Sequence, residues 1–138
     1  PDTVDGRFDL VVLHLWMVLR RLGADMDSRK LAQGLFDRFC SDMDANLREM
    51  GVGDMAVPKR MQAFGQAFDG RSAAYDAALT EGREALARAL DKNVFNGRDF
   101  ERALHLADYV EASVAKLAAV DAAVLADERQ PFAALDTQ

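Results

Sequence analysis

The chain has 138 residues, half of them hydrophobic, with a single cysteine and a formal net charge of -6 at pH 7. We expect residues 1–138 to form one soluble domain around one core. The acidic balance argues against nucleic-acid binding by the whole domain, because phosphate contact needs a concentrated basic face, and one cysteine excludes an internal disulfide.

The first predicted helix runs from Phe8 to Leu22 and is apolar on all sides between Leu10 and Leu19. That run is about half of the ~20 residues that a bilayer-spanning helix needs. A helix apolar all round lies in the centre of a core or is covered by a partner, and we favour the core. Arg20 and Arg21 complement the helix dipole near its end. Because the chain begins at Pro1, we expect sequence upstream of it and leave a targeting segment open.

The second predicted helix begins at a cap formed by Asp27 or Ser28 and ends at Met50. Apolar residues recur at three- and four-residue steps along one face, namely Leu31, Leu35, Phe36, Phe39, Cys40, Met43 and Leu47. Gly51 suits the left-handed position that closes a helix, and Pro58 suits the first turn of the next one. The pattern therefore predicts a helix, a bend and a second helix.

Apolar residues repeat at helical steps after the bend, as Met61, Phe64 and Phe68. Gly65 between them offers a place where another helix can approach closely. We expect Gly70 to end this helix and Ser72 to cap the next, alanine-rich helix, which continues to about Leu90.

The last predicted helix begins near Asp99 and continues to about Ala126, a length of roughly 40 Å. A turn over residues 93–97 precedes it. The segment 130–138 has too little periodicity for an assignment, and the pattern requires no strand. The fold class is therefore all-α, a single-domain helical bundle of about five helices with a long C-terminal helix.

The carboxylates near the bend lack the geometry of a metal site. On a helix Asp42 and Asp44 point about 200° apart and cannot hold one ion, whereas Asp44 and Arg48 stand one turn apart and can pair. His14 and His105 lie on different predicted helices without a ligand spacing. We predict no catalytic, metal-binding or cofactor-binding residues, and no enzymatic activity.

Five charged residues gather around the bend: Arg48, Glu49, Asp54, Lys59 and Arg60. One interpretation is a solvated face or an internal ion-pair network, and the other is a recognition surface. Lys59 and Arg60 lie near a helix N-terminus, where the dipole disfavours cations. A nearby carboxylate or an anionic partner would stabilise them there.

Residues 42–61 read DMDANLREMGVGDMAVPKRM and resemble the signature of the ubiquinol-cytochrome c chaperone family. The resemblance extends back to residues 2–10 and forward through residues 67–75. It implies an all-helical, non-enzymatic protein without a cofactor. Such a protein assists the synthesis of cytochrome b and its assembly into the ubiquinol-cytochrome c reductase complex.

The resemblance also implies partners and a location. Newly made cytochrome b is the expected client, and mitochondrial relatives associate with the ribosomal exit region and a small helical partner. Whether a bacterial-type chain does either stays open, as do peripheral membrane contact and the oligomeric state. The composition looks bacterial, which implies the cytoplasm near the inner face of the membrane; a eukaryotic chain would lie on the matrix side.

We predict that the client or partner surface surrounds the bend and includes Arg48, Glu49, Asp54, Lys59, Arg60, Met61, Phe64 and Phe68. One side of the run Leu10–Leu19 is a further candidate, and so are methionines 43, 50, 55 and 61, because methionine adapts to varied apolar surfaces. Two other hypotheses remain. The bundle interior could carry a hydrophobic ligand or a carboxylate-dependent metal site, or the long final helix could serve an oligomerisation scaffold.

Overall fold

The computed structural model describes residues 4–119, with side chains from residue 7 onward. Five α-helices follow one another: α1 Val4–Gly23, α2 Arg29–Glu49, α3 Ala56–Glu81, α4 Arg83–Val94 and α5 Phe100–Ala118. A 3-10 turn, Met26–Ser28, precedes α2, and the described range contains no strand. The predicted all-α bundle of about five helices is confirmed.

Helix α1 lies in the core, as its apolar sequence predicts. Leu13 and Met17 are fully buried and belong to one apolar cluster with residues of α3, α4 and α5. Trp16 packs its ring on Tyr75 of α3 at a centroid distance of 5.1 Å, and its indole N–H donates to Asp76 at 3.0 Å. The buried indole thus has the hydrogen-bond partner that it needs.

His14 has a structural role that the sequence left open. Its Nδ1 lies 2.7 Å from the Leu10 carbonyl oxygen, and its Nε2 lies 2.7 Å from the Tyr109 hydroxyl. Because a carbonyl only accepts, Nδ1 donates, and in the neutral ring Nε2 accepts from Tyr109. The bond to Tyr109 joins α1 to α5, and the bond to Leu10 lies within α1.

Helix α3 is longer than predicted, and this corrects the expectation that it ends at Gly70. The helix continues through Gly70 and Ser72 to Glu81, and the break lies at Gly82, whose φ is +125°. A mid-helix glycine costs only about 1 kcal/mol, and burial of Phe68 before it and Tyr75 after it offsets that cost.

Helix α2 contains no buried residue. It packs against the core through half-buried side chains such as Leu35 and Phe36. The expectation that Gly65 permits close helix approach is wrong, since a Cβ there would meet no atom within 4 Å. Helix α2 and the N-terminal half of α3 therefore form a loosely packed hairpin beside the core.

The helix ends follow the sequence signals in part. Gly51 closes α2 with φ +87°, and Pro58 lies in the first turn of α3, as predicted. Ser28 precedes α2 but makes no capping bond. The Asp99 carboxylate caps α5 by accepting from the Arg102 N–H. The predicted continuation of the last helix to Ala126 lies outside the described residues.

Candidate functional site

An apolar groove of about 330 Å³ lies between the α2–α3 hairpin and α1. We call it the hairpin groove. Its walls are formed by Phe8 and Val12 of α1, Met43 and Leu47 of α2, and Arg60, Ala63, Phe64, Ala67, Phe68 and Arg71 of α3. Since α2 is poorly buried, folding leaves this apolar surface open.

Helical spacing explains why these residues meet. Arg60, Phe64 and Arg71 lie on one face of α3, since residues eleven apart point within about 20° of each other. The two arginines are therefore separated by about 16 Å along the helix, with phenylalanine between them. The walls from α1 and α2 each use a pair four residues apart, which also places both side chains on one face.

The floor of the groove is a cluster of phenylalanine rings centred on Phe64. Its ring lies 5.9 Å from Phe8 and from Phe68, 5.7 Å from Phe39 and 6.4 Å from Phe36, measured between centroids. Such pairs contribute about 0.5–1.5 kcal/mol each beyond area burial. Phe64 thus contacts rings from α1, α2 and α3.

One end of the groove is closed by an ion pair. Arg71 donates to the Asp9 carboxylate at 2.6 Å, and the two side chains are 27% and 18% exposed. Both groups are substantially removed from water, so the bond ties α1 firmly to α3. Beneath it, burial raises the pKa of Tyr75 to about 12.

The other end of the groove carries an unpaired cation. Arg60 is exposed, and no hydrogen bond or ion pair holds its guanidinium among residues 4–119. The groove walls contain no carboxylate. The groove therefore combines an apolar surface with one free positive charge.

The structure brings three of the predicted client-surface residues into this groove, namely Arg60, Phe64 and Phe68. Four others lie outside its walls: Glu49, Asp54 and Lys59 are exposed, and Met61 is half-buried.

Arg48 also lies outside the walls, because ion pairs hold it at the bend. Its guanidinium donates to Asp44 at 2.7 Å and also to Asp54. The predicted pairing of Asp44 with Arg48 is confirmed, and this hydrogen bond raises the pKa of Arg48. Arg48 and Asp54 thus form a local network with Asp44. Among the described residues, no ion pair holds the other three charged residues of the bend, Glu49, Lys59 and Arg60.

The sequence signals did not assign Phe8, Leu47 or Arg71 to the site, whereas Val12 lies in the run Leu10–Leu19, one side of which is a candidate client surface. Phe8 precedes that run, on a helix for which we favour a core position. The shared α3 face of Arg60 and Arg71 depends on a helix that continues past Gly70, where the sequence predicts a helix end.

Two methionines at the bend are far more exposed than a core role allows. Met50 is 76% exposed and Met55 is 94% exposed.

Cys40 is half-buried, and burial, followed by the nearby Asp37 carboxylate, raises the pKa of its thiol. That shift suppresses the thiolate, so this cysteine is a weak nucleophile.

The described helices contain neither a grouped metal site nor a membrane-spanning segment. Among residues 7–119, whose side chains are described, no three His, Cys, Asp or Glu side chains are grouped so as to hold a metal ion. No helix in the same range has both the length and the apolar character required to cross a bilayer.

Seven of the ten residues that line the hairpin groove come from the three segments that carry the family resemblance. Phe8 comes from residues 2–10, Met43 and Arg60 come from residues 42–61, and Arg71 comes from residues 67–75. The family model described as Ubiquinol-cytochrome C chaperone matches residues 1–132. The chain belongs to this family. The resemblance seen in the sequence is thereby confirmed.

Named relatives agree with the family assignment. The chain is 27% identical over 124 residues to the ubiquinol-cytochrome-c reductase complex assembly factor 1 of Xenopus laevis, covering 88% of this chain. It is 31% identical over 112 residues to the Homo sapiens protein of that name, covering 80% of this chain. The chain spans 62% of the frog protein and 37% of the human protein.

A crystal structure of a family member has the same fold. The Cbp3 homolog from Brucella abortus matches with a TM-score of 0.84 and 36% sequence identity. The match covers 99% of this chain and 77% of that chain. The two chains therefore share this helix arrangement.

Proposed function

We propose that this chain is a non-catalytic assembly factor for the ubiquinol-cytochrome c reductase complex, and that it holds newly made cytochrome b. The observation that carries the proposal is the family match over residues 1–132. The assembly-factor names of the frog and human relatives support it.

The hairpin groove supplies a physical means of holding a client. A newly made membrane protein exposes apolar segments before its partners and cofactors arrive, and those segments need temporary cover. The groove offers the side chains of Phe8, Met43 and Phe64, which the described part of the chain leaves partly exposed. Association with the ribosomal exit region and with a small helical partner belongs to the same proposal, as does a position near the cytoplasmic face of a bacterial inner membrane.

Haem spectra of membranes test this function in cells. Reduced-minus-oxidised spectra are recorded from the source strain, a strain without the gene and a complemented strain. We expect the deletion to lose the b-type signal and the partner c-type signal of the complex while the cytochrome b transcript remains. Normal spectra in the deletion strain would overturn the proposed function.

A further inference from the structure

We propose that the hairpin groove binds an apolar helical segment that carries a carboxylate, with the carboxylate pairing with Arg60. This inference rests on the proposed function, because the bound segment would belong to the client. It adds the chemistry of the recognised segment: three turns of helix, apolar on the face toward the groove, with an acidic residue at one end.

The length and shape of the groove favour a helix. About 16 Å separates Arg60 from Arg71 along α3, which equals three turns of a bound helix. A volume of about 330 Å³ is at the lower limit for small-molecule pockets, and it suits a few apolar side chains inserted from one helix face. Phe64 and Leu47 would lie against those side chains.

The charges of the groove select the acidic residue and its position. Arg71 already donates to Asp9, whereas Arg60 has no partner in the described part of the chain. The groove walls contribute no carboxylate. A wholly apolar segment would partly cover Arg60 without pairing it, and a basic segment would be repelled. An acidic residue at the Arg60 end satisfies the charge.

Two matched synthetic peptides test the inference on the purified protein. Each is a fluorescein-labelled helix of about 15 residues with leucines at positions i, i+4 and i+7. One twin has glutamate a turn before the first leucine, and the other has glutamine there. By fluorescence anisotropy at low salt, we expect the glutamate twin to bind about fivefold more tightly.

Charge reversal at Arg60 is the decisive variant. Arg60→Glu should abolish the preference for the glutamate twin and create a preference for a lysine twin. Arg88→Glu, an exposed position on α4 outside the groove walls, is the control and should leave the preference unchanged. Leu47→Gln should weaken both twins by about tenfold, since each loses apolar contact.

Several results would overturn the inference. Failure of both twins to bind, equal affinity of the twins, or equal effects of Arg60→Glu and Arg88→Glu would each contradict it. Binding of oleate in the groove with no peptide binding would assign the groove to an anionic amphiphile. If the twins are discriminated but haem spectra of the deletion strain are normal, the groove chemistry stands and the cytochrome b function falls. If the deletion strain has altered haem spectra but the protein does not discriminate between the twins, the cytochrome b function stands and the groove chemistry falls.

Discussion

Replacing glycine by alanine should have opposite effects on stability at two positions of α3. The helix continues through Gly70, whereas it breaks at Gly82. Gly70 lies in the helix interior, and a Cβ there would meet no atom within 4 Å. Gly70→Ala should therefore raise the free energy of unfolding by about 0.5–1 kcal/mol. Gly82 has φ +125° and ψ -179°, a region that alanine avoids. Although a Cβ there also meets nothing, Gly82→Ala should cost about 1–3 kcal/mol in backbone strain.

Urea unfolding followed by far-UV circular dichroism measures both changes. The two variants should differ by roughly 1.5–4 kcal/mol, which separates their urea midpoints by on the order of 1 M at a slope of about 1–3 kcal/mol/M. Gly65→Ala is the matched control, because Gly65 is also interior and also has room for a Cβ. It should behave as Gly70→Ala does. If the Gly70→Ala variant is destabilised and the Gly82→Ala variant is stabilised, the helix breaks at Gly70 and not at Gly82.

Three further predictions concern buried and half-buried groups. Tyr75→Phe should change the free energy of unfolding at pH 7 by less than about 1 kcal/mol, because the hydroxyl has no partner among the described residues. The pKa of Tyr75 is about 12 in the fold and about 10 when unfolded, so wild-type stability should fall as pH rises above about 10, and less so in Tyr75→Phe. Asp9→Asn should cost about 1–3 kcal/mol in urea unfolding, because it leaves Arg71 without its charged partner. Cys40 should react with iodoacetamide at pH 8 several-fold more slowly in the folded than in the unfolded protein, because its pKa is raised.

Each of these has a contradicting result. A loss above about 2 kcal/mol in Tyr75→Phe would reveal a hydrogen-bond partner for the hydroxyl. An Asp9→Asn variant as stable as the parent would mean that the ion pair contributes nothing to the joint between α1 and α3. Equal alkylation rates for Cys40 in the two states would show that neither burial nor Asp37 affects the thiol.

Local signals in the sequence were sufficient for most helix boundaries. Gly51, Pro58 and Asp99 each act through their own backbone or their nearest neighbours, so their positions could be predicted without the fold. Gly70 and Gly82 could not be distinguished in this way. Both are compatible with a helix end, and only the burial of Phe68 and Tyr75 on the two sides of Gly70 decides between them.

The candidate site shows the same division between local and distant causes. Phe64 and Phe68 followed from periodicity, and Arg60 followed from its unfavourable place near a helix N-terminus. The contribution of Phe8 depends on how α1 crosses the hairpin, which no local pattern specifies. The Asp9–Arg71 pair joins residues 62 positions apart, so it too required the folded arrangement.

The most direct test of the account is photo-crosslinking of newly made cytochrome b to the hairpin groove. A photoreactive amino acid is placed at Ala63, an exposed position in the groove wall, or at Ala112, an exposed position on α5 outside it. Cells of the source organism are then pulse-labelled and irradiated. We expect labelled cytochrome b to crosslink from position 63 and not from position 112. Equal crosslinking from both positions, or none from position 63, would contradict it.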